Sequence, residues 1–318
     1  MPDPLPNPEG YPFLRRVLDD WWARNPRVRR AVDWPVWFAL ALLAAVFGLM
    51  LLPFFVSLGG PEIQPPYAQA DPNGLFVRLE DGTLYAVHEP GSGPAVVLLH
   101  GFGGSTVSWR ETIPALASAG YDVYALDLRG FGLSDKDWAA DYSHAAQAER
   151  VAAWMDAVGI DRAAIVGHSM GGSVAAHLAL SDPERVSRLV LVDAALLSDR
   201  AAWSIPSVVW DVPFVRRWAQ LALRRAVPDM LADLLRDAAA NDAALSPELV
   251  AGYERALHTP GWELSLLGML RDSRRSAPPL PLGNIRVPTL IVWGAEDGWV
   301  PPEDGARLAQ MIPGAQRV

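Results

Sequence analysis

The chain has 318 residues, 51% of them hydrophobic and 20% charged, a composition too apolar for wholesale disorder. Its formal net charge of −9 argues against a nucleic-acid partner, whose phosphates attract basic surfaces. It contains no cysteine, which excludes disulfides, Cys-ligated zinc, iron–sulfur clusters and a cysteine nucleophile.

Residues 1–35 carry six arginines (Arg15, Arg16, Arg24, Arg27, Arg29, Arg30) against five acidic residues. Residues 36–58 (VWFALALLAAVFGLMLLPFFVSL) follow as 23 residues without a charge. As a helix they would span roughly 34 Å, enough for a ~30 Å hydrocarbon core. Trp34 and Trp37 stand where interfacial aromatics belong, and the run is too long for a signal-peptide core. We therefore expect one transmembrane helix. Residues 59–95 hold a single basic residue, Arg78, so the excess of arginine places the N-terminus in the cytoplasm and the rest outside it. Residues 59–74 (GGPEIQPPYAQADPNG) read as a linker.

Beyond the linker, segments 75–79 and 83–88 flank Asp81-Gly82, a hairpin signal. Strand-like runs follow at 95–99, 123–126, 163–166, 189–192 and 289–293, separated by helical patterns near 107–119, 143–158 and 170–180. Continuous apolar strands alternating with helices predict a mostly parallel α/β sheet buried on both faces, here with a leading antiparallel hairpin. The alternation breaks over residues 196–283. That stretch reads as helices only, with Ser246-Pro247-Glu248 and Thr259-Pro260 each opening one. It predicts a helical cap over the carboxyl edge of the sheet, where open α/β folds bind ligands. The cap segment holds Trp203, Trp210, Trp218 and Trp262, which either pack its helices together or shape an apolar lid. Within it, residues 214–227 carry Arg216, Arg217, Arg224 and Arg225 beside Trp218. That is either a solvated helix face or a surface for an anionic membrane.

Gly167-His168-Ser169-Met170-Gly171 matches G-x-S-x-G between a strand-like AAIV and a helical pattern, the strand–turn–helix context that exposes a serine Oγ. His100-Gly101-Phe102-Gly103-Gly104 directly follows the strand-like AVVLL, and Asp127-Leu128-Arg129-Gly130-Phe131-Gly132-Leu133-Ser134 follows the next. Together these motifs resemble the α/β-hydrolase family, of the capped kind that contains esterases, lipases, C–C bond hydrolases and proline iminopeptidases. The resemblance covers residues 75–318, giving a core at 75–195 and 284–318 with the cap between.

The resemblance implies that Ser169 is the nucleophile and that the Met170 and Phe102 N–H groups form an oxyanion hole, with Gly103 the less favoured donor. It implies Asp297, just after TLIVW, as the acid that orients a base histidine, with Asp193 as the alternative. It implies a small-molecule substrate, carboxylic ester hydrolysis through an acyl-enzyme, and no cofactor. No H-E-x-x-H, phosphate-binding loop or dinucleotide fingerprint is present, so no metal is expected. The family order is Ser, acid, His, yet none of His88, His100, His144, His168, His177 and His258 follows Asp297. Of the six, only His258 in the cap is a candidate to reach the pocket. The base is therefore expected beyond Val318, on the loop after the last strand, and residues 1–318 alone are expected to turn over little. The alternatives are an acyltransferase of the same fold and a non-catalytic capped binding protein. The sequence carries no signal of oligomeric state.

Overall fold

The computed structural model describes residues 12–197, 207–239, 245–272 and 280–318. Trp203 lies outside the described residues. Two units divide the chain at Ser57/Leu58.

The first unit holds α1 (Pro12–Arg24) and α2 (Pro26–Phe55). Much of the segment expected as an N-terminal tail is therefore helical, and α2 begins ten residues ahead of Val36. Pro26 at its first turn explains the start, since that position needs no N–H donor. The helix ends at Phe55, three residues short of Leu58, where Val56 turns extended. Trp34–Phe55, 22 residues of mean hydropathy 2.5, is long and apolar enough to cross a bilayer.

The second unit is built on an eight-stranded sheet. In chain order its strands are β1 (Gly74–Leu79), β2 (Gly82–Glu89), β3 (Ala95–Leu99), β4 (Asp122–Asp127), β5 (Ala163–His168), β6 (Val186–Val192), β7 (Thr289–Val292) and β8 (Gln316–Arg317). Their spatial order is β1-β2-β4-β3-β5-β6-β7-β8. β1 and β2 form the antiparallel hairpin, β2 meets β4 antiparallel, and every later pair is parallel. The hairpin turn falls on Glu80-Asp81, one residue earlier than the Asp81-Gly82 signal.

The AVVLL run shows why the central strands are unbroken apolar stretches. Val97 and Leu99 face a core with Trp154 and Met155 of α4 (His144–Ala157) and Val174 and Leu178 of α5 (Met170–Ser181). Val96 and Leu98 face the other core with Trp109 and Ile113, the latter on α3 (Thr112–Ser118). Both faces of the strand are covered, so neither can be polar.

The helix expected over 107–119 is broken into a 3-10 turn, Thr106–Trp109, and α3. Pro114 explains the break: it lacks the N–H that would bond back to Arg110, and it is tolerated only in a first turn.

Between β6 and β7 the described residues form helices: α6 (Ser207–Trp210), α7 (Pro213–Ala238), α8 (Pro247–Glu254) and α9 (Trp262–Asp272), with short 3-10 turns. Ser246 caps α8 as read from the sequence, accepting from the Leu249 N–H at 3.2 Å. Thr259 does not cap α9; its hydroxyl donates back to Ala256 O at 2.6 Å, and α9 starts at Trp262. The last helix, α10 (Pro302–Met311), packs on β7 and β8.

The segment expected as a linker is tied down over much of its length. The Asp71 carboxylate accepts from the Tyr85 hydroxyl at 2.8 Å and from Arg255 at 3.1 Å. The Asp71 N–H in turn donates to the Tyr85 hydroxyl oxygen at 2.9 Å. The Gln64 N–H donates to His258 O at 2.7 Å.

Candidate active site

The parallel register brings the carboxyl ends of β3, β5, β6 and β7 side by side at one edge of the sheet. The loops leaving them carry Gly101–Phe102, Ser169, Asp193 and Gly294–Asp297.

Ser169 sits between β5 and α5 with φ 50° and ψ −114°. Ser169 and Asp193 (φ 45°) are the only non-glycine residues with positive φ among the described residues, and they stand at neighbouring strand ends. Such a conformation costs on the order of 1–3 kcal/mol and persists only where its surroundings hold it. Here the Ser169 N–H donates to Val192 O at 2.9 Å, and Ser169 O accepts from Gly172 N–H at 3.0 Å and Ala195 N–H at 3.1 Å. The flanking glycines follow from crowding. A Cβ on Gly167 would lie 2.3 Å from Gly171 O, and one on Gly171 would lie 2.3 Å from Leu99 O. The Ser169 hydroxyl makes no capping bond to α5. Met170 opens α5, so its N–H is among those with no intrahelical acceptor.

The Gly101 backbone approaches this turn closely: a Cβ there would lie 3.1 Å from Ser169 Cβ and 2.8 Å from His168 Nδ1. His100, wholly buried, fixes that strand end. The Leu128 N–H can only donate, so His100 Nε2 accepts it at 3.1 Å; Nδ1 then carries the proton and donates to Gly101 O at 2.7 Å. Phe102 is exposed, with its ring edge-on to Phe131 at 5.9 Å.

Two carboxylates flank Gly294. Asp193 Oδ1 accepts the Gly294 N–H at 2.7 Å, and Asp297 Oδ1 accepts the Trp299 and Val300 N–H groups at 2.7 and 2.9 Å. Burial, reinforced by the charge of Asp297, pushes the Asp193 carboxyl up. His168 is pushed down by burial despite the two acids nearby. Sequence reasoning offered Asp193 only as an alternative to Asp297, and no signal in the chain announces that the two adjoin.

Four of the six histidines have partners elsewhere in the chain. His88 bonds Asp122 at 2.8 Å and His177 bonds Ser173 O at 2.8 Å. His144 lies edge-on to His177, and His258 donates from Nδ1 to Glu62 O at 2.8 Å. Among the described residues, no group of three His, Asp or Glu side chains is arranged to hold a metal.

Residues 94–318 match the family model described as "alpha/beta hydrolase fold". The chain belongs to the alpha/beta hydrolase fold family. It is 30% identical over 224 residues to the uncharacterized hydrolase YugF of Bacillus subtilis, covering 69% of this chain and 78% of that protein. It is 30% identical over 253 residues to a 2-hydroxy-6-oxononadienedioate/2-hydroxy-6-oxononatrienedioate hydrolase of Comamonas testosteroni, covering 76% of this chain and 86% of that one. Among solved structures it is similar to a membrane phospholipase A described as a bacterial virulence factor. There the identity is 25% and the TM-score 0.62, over 94% of this chain and 90% of that one.

The buried histidines of this hydrolase set its response to acid. Burial lowers His100 and His168 below the ordinary 6.5, and takes His144 down to about 4. Below pH 6.5 the unfolded chain therefore binds protons that the folded chain refuses, and stability falls as pH drops toward 4. Each fully suppressed histidine contributes a slope of up to about 1.4 kcal/mol per pH unit. Asp193, with its raised carboxyl, works in the opposite sense just above the ordinary carboxylate range. Urea midpoints measured between pH 8 and 4 should fall continuously below pH 6.5. A flat profile down to pH 4.5 would contradict the burial of these rings.

Proposed function

We propose that this member of the family is a membrane-anchored serine hydrolase that cleaves carboxylic esters of partly hydrophobic substrates through an acyl-enzyme. The observation that carries the reading is the strained Ser169 turn, held at a sheet edge where a serine Oγ is presented without capping its helix. In this reading Ser169 Oγ attacks the ester carbonyl, and the Met170 and Phe102 N–H groups receive the developing oxyanion. Collapse expels the alcohol, and water then attacks the acyl-serine and releases the acid. Asp297 orients the base histidine and stabilises its imidazolium.

His100 supports the hole without touching substrate. Gly101 O is held by His100 Nδ1 and by the Gly104 N–H at 3.0 Å. In a trans peptide the next N–H points the opposite way, so pinning that carbonyl aims the Phe102 N–H. Substituting His100→Phe should lower kcat with KM little changed, by less than the ~10²–10³-fold typical of losing an oxyanion donor. Steady-state kinetics on a soluble ester measure this split.

The helices between β6 and β7 act as the cap, and Trp34–Phe55 as the anchor, with the N-terminus cytoplasmic. The likeness to a membrane phospholipase A supports an ester with a lipid-like acyl group. The test is labelling of the full-length protein with a fluorophosphonate, followed by peptide mapping. Modification of Ser169 is the expected result; labelling at another residue, or at none, overturns the assignment.

A further inference from the structure

Helix α7 divides sharply by charge. Residues 213–227 carry Arg216, Arg217, Arg224 and Arg225 and no acid, whereas residues 228–238 carry Asp229, Asp233 and Asp237 against Arg236. The inward side of the first half is fixed. Arg224 is buried and pairs with buried Glu263 at 3.3 Å, and Gln220 beside it is buried too. The Arg216 guanidinium lies 4.6 Å from the ring centre of Trp138. The outward side of the same half presents Trp218 (36% exposed), Ala222, Arg225 and Ala226 to solvent. Tryptophan and small apolar residues beside arginine suit the boundary between lipid headgroups and acyl chains.

Chain connectivity says which surface is within reach. Arg224 donates to Gly59 O at 3.1 Å, and a Cβ on Gly60 would lie 3.1 Å from Arg224 O, so the strand of chain at Gly59-Gly60 is seated on this half of α7. The apolar helix ends at Phe55, four residues earlier. An extended chain covers at most about 3.6 Å per residue, so Gly59 can be no further than roughly 14 Å from that end. If Trp34–Phe55 spans a bilayer, the chain seated on Arg224 is tethered to the end of that span by no more than roughly 14 Å.

We propose that residues 213–227 of α7 form a second membrane contact, with Trp218, Ala222 and Ala226 in the headgroup–acyl boundary and Arg225 at lipid phosphates. The acidic second half stays in water. The contact rests on the anchor reading and deepens it: it sets the cap on the bilayer surface, where a lipid ester could pass from the membrane to Ser169 without crossing water.

Because the chain has no cysteine, single labels are unambiguous. The full-length protein is prepared with Ala222→Cys, Ala226→Cys, Asp237→Cys or Ala45→Cys, each carrying an NBD fluorophore. The proteins are reconstituted into vesicles of phosphatidylcholine with or without phosphatidylglycerol, and flotation is recorded with emission and quenching by doxyl-labelled lipid. The expected result is blue-shifted emission and at least a halving of intensity by doxyl lipid at Ala222, Ala226 and Ala45. Asp237 should be unaffected, and the effect at Ala222 should strengthen with phosphatidylglycerol. If the protein floats and Ala45 is quenched while Ala222 and Ala226 report water, the contact is overturned and the anchor stands. If the protein does not float, both readings fail. If Ala222 is shielded from water but not quenched by doxyl lipid, and Ala222→Cys cross-links between copies, the occupant is a second copy and the lipid assignment is overturned.

Discussion

Replacing Ser169 with alanine should abolish fluorophosphonate labelling and cut ester turnover by roughly 10⁴–10⁶-fold, the loss seen when a nucleophile acting within a catalytic set is removed. Substrate binding should survive, because the proposed oxyanion donors are backbone groups and the helices between β6 and β7 are untouched. Stability separates this from damage to the fold. Ser169 holds φ 50° and ψ −114°, a conformation that alanine strains as much as serine does. Ser169→Ala should therefore unfold near the parent temperature. Ser169→Gly, which removes the Cβ, should be the more stable variant by up to about 1–3 kcal/mol while remaining inactive. Thermal unfolding of the three proteins beside kcat on one ester measures both effects. If Ser169→Ala keeps substantial turnover, Ser169 is not the nucleophile.

The second large effect lies behind the site. Asp127, fully buried at the end of β4, spans two loops: its Oδ1 accepts the Thr106 N–H at 2.6 Å and its Oδ2 accepts the Leu133 N–H at 2.7 Å. One loop leads out of the His100–Gly104 motif and the other is the Gly130–Ser134 turn. Gly132 lies so close that a Cβ there would sit 1.8 Å from the same carboxylate. Asp127→Ala leaves two amide groups without an acceptor, each costing about 1–3 kcal/mol, and opens a small void besides. The expected loss is roughly 2–6 kcal/mol. For a unit of this size that lowers Tm by about 5–20 °C, at roughly 2–4 °C per kcal/mol. Asp127→Asn retains one acceptor oxygen and should lose about half as much. Calorimetry on the three proteins measures this order. A drop under 2 °C for Asp127→Ala would show that the two loops do not depend on the carboxylate.

Much of the fold was legible because each local signal agreed with its neighbours. Apolar runs such as AVVLL must be covered on both faces, and the helical patterns between them supply the cover. The errors came where a side chain rather than periodicity decides. Pro114 divides the helix expected over 107–119, the Thr259 hydroxyl turns back to Ala256, and Pro26 starts α2 well before the apolar run. The segment read as a linker is held by Tyr85, Arg255 and His258, residues far along the chain that no local pattern connects to Asp71 or Gln64.

The candidate site divides in the same way. Backbone crowding writes itself into sequence, because only glycine fits at Gly167 and Gly171, so the strand–turn–helix around Ser169 could be read directly. Long-range bonding leaves no such mark. That Asp193 bonds the glycine beside Asp297, that Leu128 fixes the His100 tautomer, and that Arg224 holds Gly59 each depend on residues 28 to 165 positions apart. Sequence alone determined the class of fold, the order of its strands along the chain and the place of the serine, since hydrophobic period and glycine sterics are local. Only the tertiary structure decided which carboxylates adjoin, how the His100–Gly104 loop is braced and which face of α7 is outward. Those follow from which strands become neighbours, and the energy of that choice is spread over the whole core.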